Sequence, residues 1–185
     1  MKHLAVIALT IFLFACASTS NSTPADKRAE IQKMSQNVLA AVYKQNPRIK
    51  TAVHNAKGYA VFSNAQINLF FVSAGGGYGL VHNNMNNKNT YMNMGEAGIG
   101  FGLGVKDFRV VFVFHSADAL NDFVENGWTV SAEADAAAKT SDKGDAASAG
   151  VTYGDISVYQ LTESGLALQA MVKGTKYWKN KELNE

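Results

Sequence analysis

Apolar residues recur at two different spacings along this chain, and the change of spacing divides it. Ile31, Met34, Val38 and Val42 fall three or four positions apart, with Ala41 beside them, which marks one face of an α-helix. Thr23-Pro24-Ala25-Asp26 stands just before that stripe. Threonine can cap a free amide, proline fits the first helical position, and aspartate favours the positive end of the helix dipole. The pattern predicts a helix to about Lys44 that stops before Pro47, then a shorter one from Ile49 to Ala56 ending at Gly58.

From Gly58 onward the pattern is that of strands. Tyr59 to Phe62, Asn68 to Ser73, Tyr78 to His82, Thr90 to Met94, Ala97 to Val105 and Phe108 to Phe114 all read as β, with turn-type residues between them. The runs Asn83 to Asn87 and Lys106-Asp107 are the clearest turns, the second short enough for a hairpin. Ser116 can cap a second short helix over Ala117 to Glu125, with Leu120, Phe123 and Val124 inward and Gly127 at its end. Trp128 to Ala138 and Val151 to Leu161 read as further strands around a polar loop, and Leu166 to Val172 and Tyr177-Trp178 close the chain. Strand follows strand through short turns, so the expected class is α+β: a glycine-rich, largely antiparallel, curved or barrel-like sheet with an N-terminal amphipathic helix.

Gly98, Gly100, Gly102 and Gly104 alternate with Ile99, Phe101, Leu103 and Val105. Period two puts the four glycines on one face of a strand and the apolar side chains on the other. The bare face permits tight curvature of the sheet, or close approach of a ligand. These glycines lack the G-x-G-x-x-G register, and the chain has no phosphate loop of the G-x-x-x-x-G-K-S/T type.

The first residues have another character. Lys2 is followed by an apolar run of 11 positions from Leu4 to Phe14, then by Ala15 and the single cysteine, Cys16. Such a run spans roughly half of a hydrocarbon core as a helix, which suits an export signal and not a membrane span. Leu13-Phe14-Ala15-Cys16 resembles a bacterial lipobox, whose cysteine takes a diacylglycerol group. The expected organisation is a signal peptide over 1–15, a flexible tether over 16–23 attached through Cys16, and one domain over 24–185. With Ala17 after the cysteine, the expected location is the periplasmic face of the outer membrane.

Composition narrows the function classes. In 185 residues, 47% are hydrophobic and 17% charged, with a net charge of +2, which fits a chain with a core and not a disordered one. One cysteine leaves no internal disulfide. His54, His82 and His115 lie on separate predicted elements without H-E-x-x-H spacing, so no metal and no cofactor is expected. No G-x-S-x-G motif is present, and Asp118, Asp122 and Glu125 share one helix as a solvated acidic face. No catalytic residue is assigned, and the chain reads as a non-enzyme.

Charge is unevenly spread. Lys27, Arg28, Lys33, Lys44, Arg48, Lys50 and Lys57 face only two acids between residues 26 and 57, whereas residues 96–163 hold eleven acids and four bases. A basic amphipathic helix near a lipid anchor can lie on anionic head groups. The other use of the same stripe is to pack on the sheet with the bases solvated. Nucleic acid is not an expected partner, because no basic-aromatic alternation occurs.

Ala56-Lys57-Gly58-Tyr59-Ala60-Val61-Phe62, Phe71 to Gly79, Gly98 to Leu103, the Ala117-to-Phe123 helix with Gly127-Trp128, and Ser157 to Lys173 together resemble the SYLF-domain family. The resemblance covers about 120 residues, from Ala56 to Trp178, with Lys27 to Lys50 as a helical lead-in. It implies a lipid-binding, non-catalytic, mostly β domain with flanking helices; animal members bind phosphoinositides and fungal members actin. The leading expectation is an outer-membrane lipoprotein whose domain binds anionic phospholipid. The second is an envelope protein-interaction module positioned by its anchor. A small integral barrel conflicts with the predicted helix over 117–125 and with Phe108 to Phe114, which lacks apolar-polar alternation.

Overall fold

A computed structural model describes residues 22–129, 151–162, 165–167 and 175–185; residues 65–73, 97–108, 129, 151, 162 and 165–167 are described by their backbone alone. The first 21 residues, which include the expected signal and Cys16, lie outside the described residues.

Helix α1 (Pro24–Gln45) begins on a capping box. The Thr23 hydroxyl accepts from the Asp26 amide at 3.2 Å, and the Asp26 carboxylate accepts from the Thr23 amide at 2.9 Å. Asn46 ends α1 and starts α2 (Pro47–Asn55): its amide donates to Val42 O at 2.8 Å and its side chain accepts from the Arg48 amide at 3.0 Å. Both helices are the predicted ones within two residues.

The strands depart from the prediction. The first three are one strand, β1 (Gly58–Asn83), and the next three another, β2 (Lys88–Phe114). They pair antiparallel from Gly58↔Phe114 to Asn83↔Lys88, with one register shift between Phe70 and Val72. Lys106 and Asp107 form no hairpin; they pair with Gln66 and Ala65 inside the ladder. The turn is made by the asparagine run alone. Asn83 and Asn86 side chains accept from the amides of Met85 and Lys88, and Asn87 takes a positive φ of 56°, conformations that asparagine adopts at small cost.

A straight ladder of 26 residues would carry that turn roughly 85 Å from its base. It does not. Asn84 donates to Lys57 O through its amide at 3.0 Å, and to Val53 O and Ala56 O through its side chain. The hairpin is therefore folded over, and its tip is tied to its own root. Gly77 and Gly79 make this possible: a Cβ on either would overlap the carbonyl oxygen of Ser63 or Val61 respectively. Two halves of one strand touch backbone to backbone.

Helix α3 (Ala117–Asn126) follows, capped by Ser116, then β3 (Trp128–Thr129), β4 (Val151–Tyr153), β5 (Ile156–Thr162), β6 (Gly165–Ala167), β7 (Thr175–Lys179) and a short α4 (Lys181–Asn184). The predicted strand Val151 to Leu161 is divided by a turn at Gly154, whose φ is 57°. The parts of Trp128 to Ala138 and Leu166 to Val172 beyond Thr129 and Ala167 lie outside the described residues. All pairs are antiparallel in a seven-stranded sheet ordered β3-β7-β2-β5-β4, with β1 on β2 and β6 on β5. The class is α+β with a curved, half-barrel sheet, as predicted.

The fold-over creates two apolar layers. Inside lie Phe62, Val81, Met92, Met94, Phe112 and Phe114 with Leu120 and Phe123 of α3 and Tyr177 of β7. Outside, Val61, Val111 and Val113 are covered by Val38, Leu39 and Val42 of α1 and Ile49 and Val53 of α2, while Leu80 and Tyr91 meet Ile31 and Leu183. Successive strand residues serve opposite layers, as the β period requires.

Candidate functional site

The seven predicted bases sit on or beside α1 and α2, but they are not equivalent. The buried stripe of α1 is Ile31, Ser35, Val38, Leu39 and Val42. Lys27 and Arg28, one turn before it, are turned toward α4. Lys27 Nζ pairs with Glu182 Oε1 at 3.0 Å, and Arg28 Nη1 donates to Leu183 O at 3.2 Å. They fasten the C-terminal helix, whose Leu183 is buried against Ile31.

Lys33 and Lys44 lie on the far side of α1 from the stripe, and both are exposed. Arg48 and Lys50 flank buried Ile49 on α2, and Lys57 stands in the connection to β1; all three are exposed. None of these five belongs to either ion pair found among the described residues. The apolar stripe of α1 is spent on the sheet, so the helix layer presents charge and not an apolar face.

Gly98, Gly102 and Gly104 lie in β2 opposite Ser73, Phe70 and Asn68, and Gly100 lies at the register shift. What covers this face falls on side chains outside the described ones. Among the described glycines, close backbone approach occurs at Gly58 and Gly127 and, in the earlier run FVSAGGGYG, at Gly77 and Gly79.

One carboxylate is buried. Glu96 is 5% exposed on the inner side of β2 and accepts from Asn64 Nδ2 at 2.8 Å across the folded hairpin. Burial raises its pKa, offset in part by the Asn64 bond. Tyr177 is raised as well, by its own burial and then by the neighbouring Glu96 charge. The histidines remain apart: His82 bonds Asn89 at 2.7 Å and His115 bonds Ser157 at 2.8 Å. Among the described residues no group of three or more His, Cys, Asp or Glu is placed to hold a metal ion.

A feature that the sequence pattern did not reveal is an open cleft of about 270 Å³ between α3 and the β4–β5 turn. Asp118 and Asp122 of α3 and Asp155 of the turn line it, together with Phe123, Trp128 and Tyr153. Asp118 and Asp122 share a face by helical spacing, but Asp155 joins them only through the pairing of β5 with β2. The third helix acid, Glu125, points elsewhere and pairs with Lys179 at 2.9 Å.

Residues 95–185 match the family model described as Ysc84, Las17-binding protein actin regulator, and the chain belongs to this SYLF (Ysc84) family. It is 32% identical over 163 residues to Beta cell expansion factor A of Aeromonas veronii, an alignment covering 88% of this chain and 61% of that protein. The chain thus spans about three-fifths of the length of that relative. Among the described residues no helix is long and apolar enough to cross a membrane.

Proposed function

We propose that this chain is a non-catalytic lipoprotein of the outer membrane, anchored through Cys16 at the periplasmic face, whose SYLF domain binds anionic phospholipid. The observation that carries the reading is the set Lys33, Lys44, Arg48, Lys50 and Lys57, exposed and outside every ion pair of the described residues. Each base near an anionic surface contributes about 1 kcal/mol at most, so the five act together and weaken with salt. Lys27 and Arg28 contribute less, being engaged with α4.

Flotation of a chain beginning at residue 17 with vesicles tests this. Binding is expected to rise with the fraction of anionic lipid, to fall with salt, and to be lost on reversing Lys33, Lys44 and Lys50 to Glu. Binding indifferent to lipid charge, or unchanged by the reversal, defeats the proposal. Acylation of Cys16 is read separately, by metabolic labelling with a fatty acid and its loss in Cys16→Ser.

A further inference from the structure

The cleft beside α3 joins two features that ordinarily serve one kind of guest. Its wall is aromatic and cornered. Trp128 stands 5.7 Å from Tyr153 at 73° and 6.0 Å from Phe123 at 49°, measured between ring centroids and planes. Trp128 and Tyr153 are half-buried at the cleft, and Phe123, 2% exposed, closes it from behind. Its rim is anionic: Asp118, Asp122 and Asp155 are exposed, and among the described residues they join no ion pair and no base lines the cleft.

These features select among cations. Among the described residues no three acids are placed to share a metal ion, so a compact ion that demands several oxygens at short range is not what these side chains fit. A quaternary alkylammonium is different. Its charge is spread over methyl or methylene groups, it is weakly hydrated, and it is held by ring faces at about 0.5–2 kcal/mol each, with carboxylates adding longer-range attraction. The volume of about 270 Å³ lies at the small end for ligand cavities, sufficient for a head group and not for a whole lipid.

We propose that Trp128 and Tyr153, backed by buried Phe123, form with Asp118, Asp122 and Asp155 a binding site for a small organic ammonium group. That chemistry occurs in the amine end of a zwitterionic phospholipid head group and in free amines. Among the described residues none of the bases of α1 and α2 lines the cleft, so vesicle binding through those bases and ammonium binding here are read by different variants.

The chain has only two tryptophans, so Trp178→Phe leaves Trp128 as the sole indole reporter. In the full chain carrying that change, tetramethylammonium chloride is expected to shift Trp128 emission saturably, beyond sodium chloride at equal ionic strength. Adding Asp118→Asn, Asp122→Asn and Asp155→Asn is expected to weaken the response about tenfold or more at an unchanged melting temperature. Phosphocholine and choline, compared in the same assay, name the source by which binds more tightly: a head group or a free quaternary amine. A tetramethylammonium response no larger than that to sodium overturns the proposal. So does equal binding by the Asn variant, or a calcium response of equal size, which would mark a carboxylate site without the rings.

Discussion

On the inner face of the folded hairpin, Phe112 lies 5.3 Å from Phe123 and 5.2 Å from Tyr177, and Phe62 lies 4.8 Å from Tyr177, all between ring centroids. No lysine or arginine reaches that layer among the described residues, and its one carboxylate, Glu96, is held by Asn64. On the outer face the same two strands are covered by helices that, with the connection at Lys57, carry five exposed bases in no ion pair among the described residues. The inner face is fixed by volume, since each ring has several neighbours and none can be resized freely. The outer face is fixed only where α1 and α2 touch the sheet, and beyond that line charge can vary without cost to the fold. Binding chemistry can therefore sit on the helices while the hairpin beneath them stays constant.

The inner face is tested most severely by Phe112→Ala. Five ring contacts of Phe112 are lost with it, and urea unfolding is expected to show a loss of about 3–5 kcal/mol. A loss below about 1 kcal/mol would show that the layer is not close-packed. Two glycines of one strand give a finer contrast. Gly79→Ala pushes a methyl into the Val61 carbonyl, whereas at Gly76 the nearest atom is 4.0 Å away. The first is expected to cost about 1–3 kcal/mol or more. The second is expected to be neutral or to stabilise by up to about 1 kcal/mol, because alanine restricts the unfolded chain. Equal effects would mean that the two halves of β1 do not touch.

Glu96 gives the inner face a pH dependence. Its folded pKa is raised above the unfolded value by burial, so the protein holds that proton more tightly when folded. The resulting stability is present below the unfolded pKa and is lost as pH rises through the folded one. Glu96→Gln is expected to be more stable than the parent near neutral pH, with the gap closing on acidification; urea midpoints across that range measure it. A gap that does not change with pH removes Glu96 as the cause.

The smallest stability effect belongs to the outer face. Neutralising Lys33, Lys44, Arg48, Lys50 and Lys57 together is expected to move stability within about 0.5 kcal/mol per site, while vesicle binding is lost. Lys27→Ala should reverse that balance, costing up to about 1 kcal/mol through its pair with Glu182 with little change in binding. If both variants behaved alike in both assays, the division between fastening and free bases would fail.

Several elements were legible because their signals are local. Thr23 with Asp26, and Ser116, set helix starts through bonds to amides three residues away, and those helices occur where the pattern puts them; the second helix starts two residues earlier than expected, on Asn46. Individual strand segments were legible for the same reason. Their continuity was not. Lys106-Asp107 carries turn chemistry, yet it stays extended because Gln66 and Ala65 bond to it from a strand forty residues away. Of the seven bases, sequence gives charge and helical phase but not that Lys27 and Arg28 reach residues about 155 positions later. The acidic aromatic cleft has the same origin, since Asp118 and Asp155 meet only after β5 pairs with β2.

What the chain itself determined is where helices begin and end, which residues alternate toward a core, and where positive charge concentrates. These follow from bonds and periodicities spanning a few residues. What tertiary structure alone decided is that one long hairpin doubles back on Gly77 and Gly79, and which charges are thereby engaged, buried or left facing solvent. A fold-over has no local signature, because it depends on the space between two backbones that sequence separates and only packing brings together.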